Sequence, residues 1–146
     1  LIEEDIYSLF RHTSAEENAT EKMKNLILHL IRKHNDNEKV LIMLSEVVYH
    51  NFNAWFIDYF KEFLFVNKNI EVTKKINFGR TESWSGSRVP IIQKKIEFYQ
   101  DIIKMINTLP DILDYSEHID HFEQKIIWKK QDIEYEQRRD FMEEFY

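Results

Sequence analysis

The chain has 146 residues, a net charge of −6, 43% hydrophobic residues, two glycines and two prolines. That length fits one domain, and the apolar content can build a core, which argues against general disorder. So few turn formers argue against an all-β sandwich or barrel, and the lack of cysteine excludes disulfides, thiolate metal sites and cysteine nucleophiles.

The elements follow from the spacing of apolar residues. Residues 2–11 read as a short helix with Ile2, Ile6, Leu9 and Phe10 on one face. Ser14 and Glu17 have capping-box spacing and start a helix that runs to about His34. Its stripe is Met23, Leu26, Ile27, Leu30 and Ile31, and Asn35, Asp36 and Asn37 break and recap the chain. Helical spacing resumes from Glu38 to Val66, with a break expected at His50 and Asn51. The aromatic half (Phe52, Trp55, Phe56, Tyr59, Phe60 and Phe63) is expected at the centre of the core.

Between 69 and 78 the period changes. Ile70, Val72, Ile76 and Phe78 alternate with Glu71, Thr73, Lys75 and Asn77, which predicts a strand or hairpin arm. Residues 79–88 are turn-like and hold both glycines. Pro90 suits the first turn of a helix running to about Thr108, with Ile92, Ile96, Tyr99, Ile103 and Ile106 as its stripe. A short turn through Pro110 leads to a last helix starting at Asp111. There Ile112, Ile119, Ile126 and Ile133 stand seven apart, a heptad seam whose companion positions fade into charge at Lys129 and Glu136. The short connection favours an antiparallel α-hairpin. The last helix is the longer of the two, so residues from about Gln131 onward project beyond their neighbour.

The expected fold is mainly α: a five- or six-helix bundle with a C-terminal antiparallel α-hairpin and a short β element near 69–78. It is read as a single helical domain over residues 1–146. The chain opens on Leu1 instead of Met, so a processed protein or a piece of a longer chain is expected. No run of 18 apolar residues occurs, so no membrane partner is expected, and a cytoplasmic location is the default. Nineteen Ile, 14 Lys and 10 Asn against three Ala point to an AT-rich source, such as a low-GC bacterium, its phage or a mobile element.

Charge is unevenly placed. Residues 1–66 carry net −4, residues 67–110 net +4 and residues 111–146 net −6. The basic segment offers a candidate anion, nucleotide or RNA site built from Lys74, Lys75, Arg80, Trp84, Ser85, Ser87 and Arg88. Serines, glycines and an arginine before a helix start suit an anion, and Trp84 can stack on a base. The segment is no P-loop, because it lacks the Gly-Lys-Ser/Thr ending.

Asp114, His118 and His121 have i, i+4, i+7 spacing and form a candidate metal-ligand face on the last helix. Glu46 and His50 are another i, i+4 pair, read as core or capping residues because no ATP-binding motif follows. No G-x-S-x-G or HExxH motif occurs, so no catalytic residue and no cofactor are expected. The reading is a non-enzymatic protein-interaction module, a small regulator or inhibitor, with a nucleotide- or RNA-binding sensor using segment 68–95 as the alternative. The projecting end of the last helix carries Ile133, Tyr135, Phe141, Met142, Phe145 and Tyr146. Such an apolar cluster is expected to contact a protein partner or a second copy.

Overall fold

The computed structural model describes residues 4, 5, 8, 19–51, 55–76 and 88–145. The chain divides into two compact units, Leu1–Gly79 and Arg80–Tyr146. Among the described residues there are six principal α-helices and no strand. The Ser14–Glu17 capping box and most of the 2–11 helix lie outside the described residues.

The first unit contains α1, Ala19–Lys33, and α2, Glu38–Asn51. Met23, Ile27, Leu30 and Ile31 of α1 are buried, at the one-turn spacing that places them on one side. Arg32 and Lys33 stand in its last turn, where the helix dipole favours positive charge. The Asn37 side chain accepts from the Val40 N–H at 3.3 Å and so caps the start of α2. Val40, Leu41, Met43, Leu44 and Val48 then form the buried stripe of α2.

α3, Phe56–Val66, packs against α1 and α2. Phe56, Tyr59, Phe60, Phe63 and Leu64 are fully buried, each worth ~1.5–3 kcal/mol of transfer free energy. Phe60 stacks on both Phe56 and Phe63, with centroids 6.3 and 5.6 Å away. The Tyr59 hydroxyl donates to the Leu41 carbonyl at 3.2 Å, which satisfies the one polar atom of that buried ring. His50 and Asn51, where the break is expected, are both helical: α2 runs to Asn51, and a separate helix, α3, begins at Phe56.

α4, Ile70–Lys75, corrects the expected strand or hairpin near 69–78. Residues 77 and 78 lie outside the described residues. Val72 and Ile76 are two alternations apart in a strand but also i, i+4 in a helix, so the pattern fits both periods. The cap decides between them. The Asn69 side chain accepts from the Glu71 N–H at 3.0 Å, and Glu71 and Lys74–Lys75 occupy the dipole-favoured ends. Val72, Thr73 and Ile76 are buried.

The second unit contains α5, Val89–Asn107, a 3-10 turn at Ile112–Tyr115, and α6, Ser116–Phe145. Pro90 lies in the first turn of α5, where its missing N–H removes no helical bond. The Thr108 N–H and hydroxyl both reach the Met105 carbonyl and close the helix. The last helix therefore starts at Ser116 instead of Asp111, because the 3-10 turn takes up residues 112–115.

α5 and α6 pack on each other. Ile96, Tyr99, Ile102 and Ile106 are buried on α5, with Phe122 and Ile126 on α6 and Tyr115 in the turn before it. Ile102 takes the place expected for Ile103. The Tyr99 and Phe122 ring centroids are 6.0 Å apart, across the connection between the two helices. Such a contact between helices joined by a short connection is what antiparallel pairing gives. It also sets the first residue of α5 level with about residue 132 of α6. With 19 and 30 residues, the helices measure ~28 and ~45 Å, so the end of α6 extends beyond α5.

Candidate functional site

The exposed side of α6 gathers most of the large apolar surface on that helix. Trp128, Tyr135 and Met142 are 53%, 66% and 51% exposed; Ile127 and Phe141 are exposed elsewhere around the helix. At ~100° per residue, Trp128, Tyr135 and Met142 lie within ~20° of one line, and Ile126 lies ~180° from Tyr135. So α6 has two apolar sides. One packs on α5; the other, repeating every seven residues, faces outward.

Of the interface residues expected from the sequence, Tyr135 and Met142 are on the exposed side; Phe141 is exposed as well but lies ~120° around the helix from Tyr135. Ile133 is half-buried, and its position on the helix lies on the Ile126 side. The Phe145 side chain and Tyr146 lie outside what the structure describes. Ile127 and Trp128 were missed by sequence reasoning. The signal was present: Trp128, Tyr135 and Met142 are spaced by seven, offset by two from the isoleucine seam.

A recess of about 430 Å³ is lined by Glu134, Gln137, Arg138, Phe141 and Met142. It combines an aromatic ring, a thioether and both signs of charge. Aromatic anchors beside polar groups are the composition of protein contact surfaces. On the inner side, Glu136 is buried and ion-paired with Arg139 at 3.0 Å.

The candidate metal residues are not brought together. Asp114 is exposed in the 3-10 turn, so the helical spacing that would align it with His118 does not apply. Among the described residues no group of three His, Asp or Glu side chains is placed to hold a metal ion. His118 is buried, edge-on to the Tyr115 ring at 5.7 Å, and neither of its ring nitrogens has a hydrogen-bond partner. Burial penalises its charged form and pulls its pKa down to about 4. His121 packs edge-on to the Phe122 ring at 5.1 Å.

The basic segment is partly described. Lys74 lies 3.4 Å from the Glu71 carboxylate, and Lys75 pairs with the Glu38 carboxylate. Arg88 is exposed at the start of α5, its carbonyl accepting from the Ile92 N–H at 3.0 Å. Arg80, Trp84, Ser85 and Ser87 lie outside the described residues.

No family model, curated protein or solved structure matches the chain. The two-sided helix therefore carries the functional argument. Among the described residues no helix is long and apolar enough to cross a membrane, so the exposed stripe of α6 is not a membrane span.

Proposed function

We propose that the protein is a non-enzymatic interaction module that acts as a small regulator or inhibitor by docking through the exposed side of α6. One observation carries this reading: Trp128, Tyr135 and Met142 stay exposed at seven-residue spacing, while Phe122 and Ile126 on the opposite side of the helix are buried. A helix that only completes its own fold needs a single apolar side. A second one costs exposure of aromatic surface unless something covers it. Trp and Tyr are also the residues that most often dominate binding energy at protein contacts.

The sensor reading, with nucleotide or RNA held by the basic segment, has less support. Lys74 and Lys75 are each already engaged by a carboxylate, which lowers the net positive charge they offer a phosphate. The net −6 of the chain also opposes approach of a polyanion.

The test is affinity capture from the source cells with the natural chain and with a Trp128→Glu, Tyr135→Glu, Met142→Glu variant. The reading expects a specific protein, or further copies of the chain, held by the natural form and lost from the variant. Identical capture by both would contradict it.

A further inference from the structure

We infer that the occupant of the exposed α6 side is a second copy of the same chain, with the two α6 helices crossing antiparallel about Tyr135. The inference rests on the reading of this side as a contact surface and names its partner. Its ground is charge complementarity around a centre.

Trp128 and Met142 lie seven residues before and seven after Tyr135. A two-fold axis through Tyr135 therefore sets Trp128 against Met142 of the second copy, twice, and Tyr135 against itself. Thioether sulfur against an aromatic ring is a favourable contact. The charges obey the same symmetry. Asp132 lies three before Tyr135 and Arg139 four after; Glu134 lies one before and Arg138 three after. At ~100° per residue, Asp132 and Arg139 share one edge of the stripe, and Glu134 and Arg138 share the other. All four side chains are exposed; within the chain Asp132 also lies 3.6 Å from Lys129 and Arg139 pairs with Glu136, so the Glu134 and Arg138 edge carries the argument most directly.

A two-fold axis across two helices brings like edges together. Asp132 then meets Arg139 of the second copy, and Glu134 meets Arg138 of the second copy, each pair occurring twice. A self-complementary patch of this kind is what an isologous interface requires. The in-register parallel arrangement is disfavoured by the same residues. It sets Asp132 and Glu134 at the level of the same acids in the second copy, and Arg138 and Arg139 at the level of the same bases. Opposite charges thus select the antiparallel direction, while the apolar stripe supplies the attraction.

Sedimentation equilibrium on the full chain tests this, using Glu134→Arg and the double variant Glu134→Arg, Arg138→Glu. Helicity followed by circular dichroism confirms that each variant folds. The inference expects a natural dimer at micromolar concentration, dimer affinity weakened about tenfold by Glu134→Arg, and affinity restored in the double variant. A monomeric natural chain overturns it, as does a dimer that the double reversal fails to restore. A monomeric chain that still captures another protein through Trp128, Tyr135 and Met142 overturns the second copy as occupant and leaves the contact-surface reading standing. A monomer with no such capture removes both.

Discussion

Ile126 and Trp128 are two residues apart on α6 and lie on opposite sides of it, 9% and 53% exposed. The two positions do different work, and substitution separates them. Ile126→Asp puts a charge against α5 and is expected to unfold the second unit. Trp128→Glu is expected to leave helicity intact and to reduce association. Circular dichroism and sedimentation, run on both variants, check the pair. Equal loss of helicity in both would show that Trp128 belongs to the core.

His118 makes the second unit sensitive to acid. Its pKa lies near 6.5 in the unfolded chain and about 4 in the fold. The unfolded chain therefore binds more protons between these values, and stability falls as pH drops through that window. Above it the imidazole is neutral in both states and the contribution is constant. His118→Leu removes the titration and the two unsatisfied ring nitrogens. Hydrogen exchange of α5 and α6 amides should show the variant gaining on the natural chain from pH 6.5 down to 4, by roughly 2–3 kcal/mol at most. Parallel pH profiles for the two proteins would contradict the assignment.

The first unit depends on the aromatic ladder of α3. Phe60→Ala removes the ring stacked between Phe56 and Phe63 and is expected to cost ~3–5 kcal/mol. Tyr59→Phe keeps the ring and removes the bond to the Leu41 carbonyl, at a cost of ~1 kcal/mol. Burial also pushes the Tyr59 phenol well above its ordinary pKa, so it remains a donor in mild base. Urea unfolding of both variants orders the two effects. A Tyr59→Phe loss as large as that of Phe60→Ala would contradict it.

Asn69 decides the conformation of residues 70–75. Asn69→Ala is expected to destabilise α4 by about 1 kcal/mol and to shift its backbone chemical shifts away from helical values. Lys75→Ala breaks an exposed ion pair with Glu38 and should cost no more than ~1 kcal/mol. Unchanged shifts in Asn69→Ala would show that packing of Val72 and Ile76 alone holds the helix.

Much of this helical fold is legible in the spacing of apolar residues. Met23, Ile27, Leu30 and Ile31 repeat at one-turn intervals over a full helix, long enough for the period to be unambiguous. Residues 70–76 are too short for that. Val72 and Ile76 satisfy both templates, and the deciding bond comes from the Asn69 side chain. The start of α6 was hidden for a similar reason, since a 3-10 turn keeps Tyr115 buried without keeping helical register for Asp114. The exposed stripe was half visible. Tyr135, Phe141 and Met142 stand out near the chain end, whereas Trp128 sits among residues of the inner seam, two positions from Ile126. Only the side each residue faces tells them apart.

Hydroxyl-radical footprinting tests the central claim most directly, comparing the chain in extract of its source cells with the dilute purified chain. The account predicts that Trp128, Tyr135 and Met142 are oxidised less in the extract, while exposed Phe65 on α3 reacts equally in both. Equal oxidation of Trp128, Tyr135 and Met142 in the two settings would contradict the claim that this side of α6 is a contact surface.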